Sequence, residues 1–224
     1  MQDGFFYFYN MKKDHKIFGV YPILEAIKSD TVIDKLYVQK DIQNSKIHGI
    51  VKQLSDSGTT INEVPSEKLN RLTRGNHQGV VAIVSPILFP ALEETVETIL
   101  SGNKTPLFLI LDQISDVRNF GAILRTAECT GVDAVIIQKK GGAPVSGDTV
   151  KTSAGAIFNI PVCKVDHIKD AIFYLQGSGV KTVAATEKTD QNIYDIDFKE
   201  PVALVMGSEG KGVSKSILSL VDES

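Results

Sequence analysis

The stretch that decides the fold is Leu107-Phe-Leu-Ile-Leu-Asp-Gln-Ile-Ser-Asp-Val-Arg-Asn-Phe-Gly-Ala-Ile-Leu-Arg-Thr-Ala-Glu-Cys-Thr-Gly-Val-Asp-Ala-Val-Ile-Ile137. Leu107–Leu111 is an unbroken apolar run, short enough for a strand and apolar on both faces, as a buried parallel strand requires. From Asn119 to Thr130 the apolar residues Phe120, Ile123, Leu124 and Ala127 recur at helical spacing, and Gly131 closes the helix as a C-cap. Ala134–Ile137 is a second apolar strand. Strand, helix and strand in this order predict a parallel sheet covered on both faces. Ile160–Val165, a helix over His167–Leu175, Thr182–Ala185 and Val202–Met206 continue the alternation to the C-terminal side.

The residues before this block read as a second, smaller α/β unit. Pro22–Ile27 is a short helix, Lys35–Val38 a strand, and Ser45–Ser57 an amphipathic helix with Ile47, Ile50, Val51 and Leu54 on one face, ended by Gly58. Ile61–Val64 is a strand, Ser66–Leu72 a helix opened by Ser66, and Gly79–Val84 an apolar strand. The fold class is therefore α/β: a small N-terminal α/β domain, then a C-terminal α/β domain on a parallel sheet. The expected divisions are an extension over 1–14, a first domain over 15–85, a connection over 86–105 marked by Pro86, Pro90 and an acidic stretch, and a second domain over 106–224. Thr95–Leu100 reads as a helix within the connection.

Composition sets bounds. Apolar residues make up 42% and charged residues 23% of the 224, an ordinary globular balance. Apolar runs fall well short of the roughly 18 residues of a transmembrane helix, and the aromatic start lacks the order of a signal peptide. Two cysteines, Cys129 and Cys163, are too few for a disulfide framework and read as buried free thiols, in keeping with a reducing cytoplasm. The net charge of −3 argues against a non-specific nucleic-acid coat. It is unevenly spread: residues 1–85 hold 11 Lys/Arg against 9 Asp/Glu, and residues 86–224 hold 13 against 18. That gradient suits a front domain that meets a polyanion, and equally a solvated surface.

Ligands of an open parallel sheet sit beyond the C-terminal ends of its strands. Three loops qualify: Asp112–Asn119, Thr186–Asp190 and Gly207–Ser214. In the first, Gly121 and Arg125 are four apart and share a helix face, and Glu128 is three beyond Arg125 and placed to pair with it. A helical glycine costs about 1 kcal/mol relative to alanine, which points to space beside Arg125 for something to approach. A capping Asn119 and a surface ion pair of Arg125 satisfy the same spacing. The third loop has three glycines, Gly207, Gly210 and Gly212, so backbone N–H groups can reach a ligand; a plain turn satisfies that pattern too. It is not a P-loop, since Gly212 follows Lys211 where Ser or Thr is needed. The four histidines (His15, His48, His77, His167) are scattered and predict no metal site, and no Gly-x-Ser-x-Gly elbow occurs.

Taken together, these loops resemble the SpoU family of RNA ribose 2′-O-methyltransferases, the TrmH-like enzymes. Leu111–Gly131, with Asn119, Gly121 and Arg125, is similar to that family's first motif. Ala203–Val213, with Gly207, Glu209, Gly210 and Gly212, is similar to its second. Ile17–Ala26 and His77–Ala82 resemble the substrate-binding domain that precedes the catalytic domain in ribosomal-RNA members. The resemblance spans 16–221. It implies S-adenosyl-L-methionine as methyl donor, a ribose 2′-hydroxyl of RNA as acceptor (a guanosine of 23S ribosomal RNA by layout), a trefoil knot and a homodimer. It implies catalytic positions at Asn119, Arg125 and Glu209, and cofactor contacts at Ala185, Thr186, Gly207 and Gly210. An arginine stays charged at a pKa of about 12.5–13.8, so Arg125 is expected to stabilise the developing alkoxide or hold a phosphate, oriented by Glu209 and Asn119. Candidate RNA contacts are Lys12, Lys13, His15, Lys16, Arg71, Arg74 and His77 in the front domain, and Arg118 in the first motif; their alternative is solvated charge.

The family pattern continues past Gly212 through a helix, a strand and a third motif, whereas this chain starts that helix at Ser214 and ends at Ser224. The expectation is a truncated chain with an incomplete knot, weak cofactor binding and altered dimerisation. The alternative function is an inactive RNA-binding or ribosome-assembly module.

Overall fold

The computed structural model describes residues 16–29 and 31–224. Lys12, Lys13, His15 and the extension over 1–14 lie outside the described residues. The chain forms two compact units: the first ends at Leu88 and includes Pro144–Asp148, and the second comprises Phe89–Ala143 and Thr149–Ser224.

The first unit holds β1 (Lys16–Phe18), α1 (Val20–Lys28), β2 (Ile33–Gln39), α2 (Ser45–Asp56), β3 (Thr60–Val64), α3 (Ser66–Leu72) and β4 (Val80–Val84). Its sheet runs β1-β4-β2-β3, with β2 and β3 parallel and β4 antiparallel to both its neighbours. Val80 and Ala82 join Leu36, Val38, Ile23, Ile47 and Ile50 in one core. Val81 and Ile83 alternate to the opposite face and are also buried. Burial on both faces explains why β4 reads as a continuous apolar run. Asn44 caps α2 by accepting from the N–H groups of Lys46 and Ile47.

The second unit holds α4 (Leu92–Leu100), β5 (Leu107–Asp112), α5 (Val117–Thr130), β6 (Ala134–Gln138), the Thr149–Thr152 part of α6 (Gly147–Thr152), β7 (Val162–Val165), α7 (Ile168–Gly177), β8 (Lys181–Ala185), β9 (Val202–Gly207) and α8 (Lys215–Leu218). Its five strands are all parallel, in the order β7-β6-β5-β9-β8. One face carries Phe108, Ile110, Ala134, Ile136, Ala203 and Val205 against α4, α7 and α8. The alternate residues Leu109, Leu111, Val135 and Ile137 are buried too, as are Phe120, Leu124 and Ala127 of α5. The sheet is thus the covered parallel one that the apolar strands predict.

Three expectations are corrected. The helix within 86–105 begins at Leu92, not Thr95: α4 buries Leu92 and Val96 in the second unit's core, because its apolar positions recur at helical spacing. Cys163 is buried, but Cys129 is exposed; it sits two residues past the buried Ala127, about 200° round the helix. The motif helix begins at Val117, not Asn119, because Asp116 caps it, its Oδ1 accepting from the N–H groups of Arg118 at 2.8 Å and Asn119 at 2.9 Å.

β8 would be an open edge, but the last residues cover it. Val183 pairs in parallel with Glu223, and the Ala184 N–H donates to the Glu223 carbonyl at 2.9 Å. The Asp222 carboxylate accepts from the Thr182 N–H at 2.8 Å and its hydroxyl at 2.7 Å. Lys181 bridges Glu200 and Glu223.

Candidate active site

The sheet order places a topological switch between β5 and β9. The chain builds β5, β6 and β7 outward on one side, then returns by β8 to insert β9 beside β5. Ligands of open α/β sheets sit in the crevice at such a point. Asp112 and Gly207 are register partners at the ends of these two strands, so both motif loops leave the sheet side by side.

Asn119 stands in the first turn of α5, and its Nδ2 donates to Glu209 Oε2 at 3.2 Å, joining the first motif to the second across 90 residues. Its side chain therefore faces Glu209, while the capping alternative belongs to Asp116. The Glu209 loop is tightly wound. The Gly212 N–H donates to the Ser208 carbonyl at 2.7 Å, and Ser208 and Gly212 form an antiparallel bridge. A Cβ on Gly207 would lie 1.9 Å from the Gly212 carbonyl carbon and 2.1 Å from Val213 N. Glycine at 207 is needed by the loop itself, and Gly212 adopts φ +67°. The floor is pinned by Asp112, a buried carboxylate whose Oδ2 accepts from the Ser214 N–H at 2.8 Å. Its only sequence signal is that it ends an apolar strand.

Ala185 ends β8 in register with Met206. Thr186 Oγ1 accepts from the Lys188 N–H at 3.2 Å, and Glu187 Oε2 lies 3.8 Å from where a Gly212 Cβ would be. Ala185, Thr186, Gly207 and Gly210 are thus gathered at the ends of two adjacent strands. Gly210 has open space around it, and Ala185, Glu209 and Gly210 are exposed. Backbone N–H and carbonyl groups offered beside open space fit one wall of an adenosyl-group pocket.

Arg125 is exposed on α5, six residues beyond Asn119 and so about 9 Å further along the axis. Among the described residues it bonds neither Asn119 nor Glu209 and has no ion-pair partner. The expected Glu128 pair is not formed: Glu128 Oε1 instead accepts from Asn159 Nδ2. Nor does Gly121 leave space beside Arg125. A Cβ there would lie 2.0 Å from Thr152 Oγ1 and 2.7 Å from Thr152 C, so the glycine admits the end of α6, whose Thr152 hydroxyl donates to the Val117 carbonyl at 3.2 Å.

In the first unit Lys16, Arg71 and Arg74 are exposed. His77 is committed internally: its Nδ1 accepts from the Gly79 N–H at 2.9 Å, so its proton sits on Nε2, 3.0 Å from Asn70 Oδ1. Its ring shapes the turn into β4, where Gln78 and Gly79 both have positive φ, and neither ring nitrogen is spare for RNA.

Residues 106–224 match the family model described as SpoU rRNA Methylase family, and residues 16–90 match RNA 2′-O ribose methyltransferase substrate binding. The chain belongs to the SpoU rRNA methylase family. A relative in Bacillus subtilis, named a TrmH family tRNA/rRNA methyltransferase, is 30% identical over 95% of this chain and 86% of its own length. A Staphylococcus aureus relative of the same name is 33% identical over 94% of this chain and 85% of its own length. Among solved structures, an rRNA methyltransferase from Sinorhizobium meliloti shares the fold at a TM-score of 0.55 and 24% identity, covering 93% of this chain and 76% of that one. The SpoU methyltransferase AviRb from Streptomyces viridochromogenes, in complex with AdoMet, gives 0.53 and 21%, covering 92% and 78%. As a SpoU-family chain it is an RNA methyltransferase by descent, with both halves of the two-unit layout matched. Among the described residues no helix is long and apolar enough to cross a membrane, and no cluster could hold a metal ion.

Proposed function

We propose that this SpoU-family chain transfers a methyl group from S-adenosyl-L-methionine to a ribose 2′-hydroxyl of RNA, on a guanosine of 23S ribosomal RNA, acting in the cytoplasm, with the homodimer belonging to the full-length form. The observation that carries the reading is the Asn119–Glu209 hydrogen bond, which joins the two motif loops at the β5/β9 switch. The cofactor, when bound, supplies an electrophilic methyl group on a sulfonium. Ala185, Thr186, Gly207 and Gly210 would hold its adenosyl part through the exposed backbone at the ends of β8 and β9. The chain's own residues handle the acceptor. The ribose hydroxyl would have to lose its proton as its oxygen takes the methyl group from sulfur. Glu209 Oε1, the oxygen that does not accept from Asn119, would take that proton. The bond from Asn119 Nδ2 to Oε2 fixes the carboxylate's orientation. Arg125, exposed and without an ion-pair partner among the described residues, binds the adjacent phosphate or the developing alkoxide with its planar fork. Arg118 on the same helix, with Lys16, Arg71 and Arg74 in the first unit, adds phosphate contacts.

The test is incubation with tritiated S-adenosyl-L-methionine and ribosomal RNA from a strain lacking the gene, followed by mass analysis of the nucleosides. Label in 2′-O-methylguanosine, lost in Arg125→Ala and Arg125→Lys, supports the assignment. Label confined to transfer RNA overturns the ribosomal substrate. RNA binding without transfer overturns the enzyme reading in favour of a binding module.

A further inference from the structure

Arg125 and Glu128 lie three apart on α5, so their side chains are neighbours on the helix surface. Exposed Arg125 and half-buried Glu128 are within reach of an ion pair in that relation. Here Glu128 accepts a hydrogen bond from Asn159 Nδ2 instead, and Arg125 has no ion-pair partner among the described residues. Asn159 is placed with care by the backbone. After α6 the chain reverses through Ala154 at φ +52° and Gly155 at φ +89°, and a non-glycine residue in that region marks a conformation held by its surroundings. One turn of 3-10 helix, Ala156–Phe158, follows, with Ala156 and Ile157 buried. The Asn159 N–H closes that turn on the Ala156 carbonyl at 2.9 Å. Upstream, Thr152 is wedged against Gly121. The segment therefore runs along α5 from Gly121 to Glu128, fixed at both ends.

We propose that Asn159 is a positioning residue: it holds the Glu128 carboxylate away from Arg125 and so keeps the guanidinium free for RNA. A carboxylate paired with Arg125 would compete with a phosphate for the same N–H donors and cancel the charge that attracts it. Asparagine suits the task, because its amide binds Glu128 without adding a charge of its own. The inference rests on the role given to Arg125 above.

Two measurements separate the inference from that reading. The first is the side-chain Nε–H signal of Arg125 in 15N spectra of the full chain, where four arginines make assignment tractable. In the wild type this signal is expected to exchange freely with water. In Asn159→Ala it is expected to become protected, and in Asn159→Ala/Glu128→Gln to become free again. An Arg125 signal already protected in the wild type, or unchanged by Asn159→Ala, overturns the inference. The second is methyl transfer to ribosomal RNA. Asn159→Ala should lower kcat/KM about two- to fivefold at low salt, the size of an exposed ion pair. The deficit should shrink as salt rises and be restored by Glu128→Gln. A deficit that Glu128→Gln does not restore means that Asn159 acts through packing alone, which overturns the inference. Should Asn159→Ala fold poorly, Asn159→Asp, which repels Glu128 towards Arg125, must show the same restorable loss. Full activity in Arg125→Ala would overturn the role of Arg125, while the spectra still decide whether Asn159 governs the pairing.

Discussion

Gly121→Ala sets two effects of opposite sign against each other. On an open helix face the substitution would stabilise, since alanine is favoured over glycine in a helix by about 1 kcal/mol. Here the added methyl would lie 2.0 Å from Thr152 Oγ1, 2.5 Å from Thr152 Cβ and 2.7 Å from Thr152 C. Rotating the threonine side chain could move only the first of these atoms, so the end of α6 must shift. Forcing a methyl into a closed contact costs about 1–3 kcal/mol. The bond from the Thr152 hydroxyl to the Val117 carbonyl is strained in the process, at about 0.5–1.5 kcal/mol. The sum exceeds the propensity gain, and a net loss of about 1–3 kcal/mol is expected. Because the chain has two units, a single global unfolding energy is not the right readout. Hydrogen-exchange protection of the α5 amides reports the second unit by itself. Thr152→Gly should recover part of the loss in the double variant. Higher α5 protection in Gly121→Ala, as the propensity effect alone predicts, would refute the close approach of α6.

Other perturbations test the neighbouring interactions. Gly207→Ala places its methyl within 2.1 Å of backbone atoms of Gly212 and Val213; the Glu209 loop should open, and S-adenosyl-L-methionine binding measured by calorimetry should weaken at least tenfold, by the roughly 1.4 kcal/mol or more of such a clash. Asp112→Ala leaves the Ser214 N–H without its acceptor, which should cost about 1–3 kcal/mol in the second unit by urea unfolding. Replacing Arg71 or Arg74 by Glu should weaken RNA binding and flatten its salt dependence, the slope falling by about 0.7 for each single-strand phosphate that is no longer neutralised. Burial works to raise the Asp222 pKa, but hydrogen bonds from Thr182 and Gln176 outweigh it and hold the group below the usual carboxylate value. Glu223 is lowered by Lys181 and Gln191, and Lys181 is raised by Glu223 and Glu200. The carboxylates' contribution is therefore complete above the ordinary carboxylate range and lost as pH falls through their lowered values. The lysine's is complete below the ordinary lysine value and lost as pH rises through its raised one. The protection factor of the Ala184 amide should hold at neutral pH and fall below about pH 4, with Asp222→Asn removing part of that acid limb; a pH-independent protection factor would contradict the pairing.

Much of the fold was legible because its signals are local. Leu107–Leu111 is apolar at every position since β5 is covered on both faces, and Phe120, Leu124 and Ala127 recur at the spacing that one buried helix face demands. The helix start was misplaced by two residues because Asp116 and Asn119 are both good capping residues, and only the hydrogen bonds distinguish them. The segment around α6 was not legible, being short and glycine-rich, without an apolar period.

The site divides in the same way. Sequence by itself determined which loops leave the ends of β5 and β9 and which polar residues they carry, because strand period and glycine placement are written along the chain. Tertiary structure alone decided who meets whom. Asn119 reaches Glu209 across 90 residues, Gly121 is small for the sake of Thr152, Glu128 turns to Asn159 rather than Arg125, and His77 spends one ring nitrogen on its own turn and the other on Asn70 of α3. Each of these contacts is set by how strands order in a sheet and how helices stack on it. Residue spacing along the chain does not encode that order.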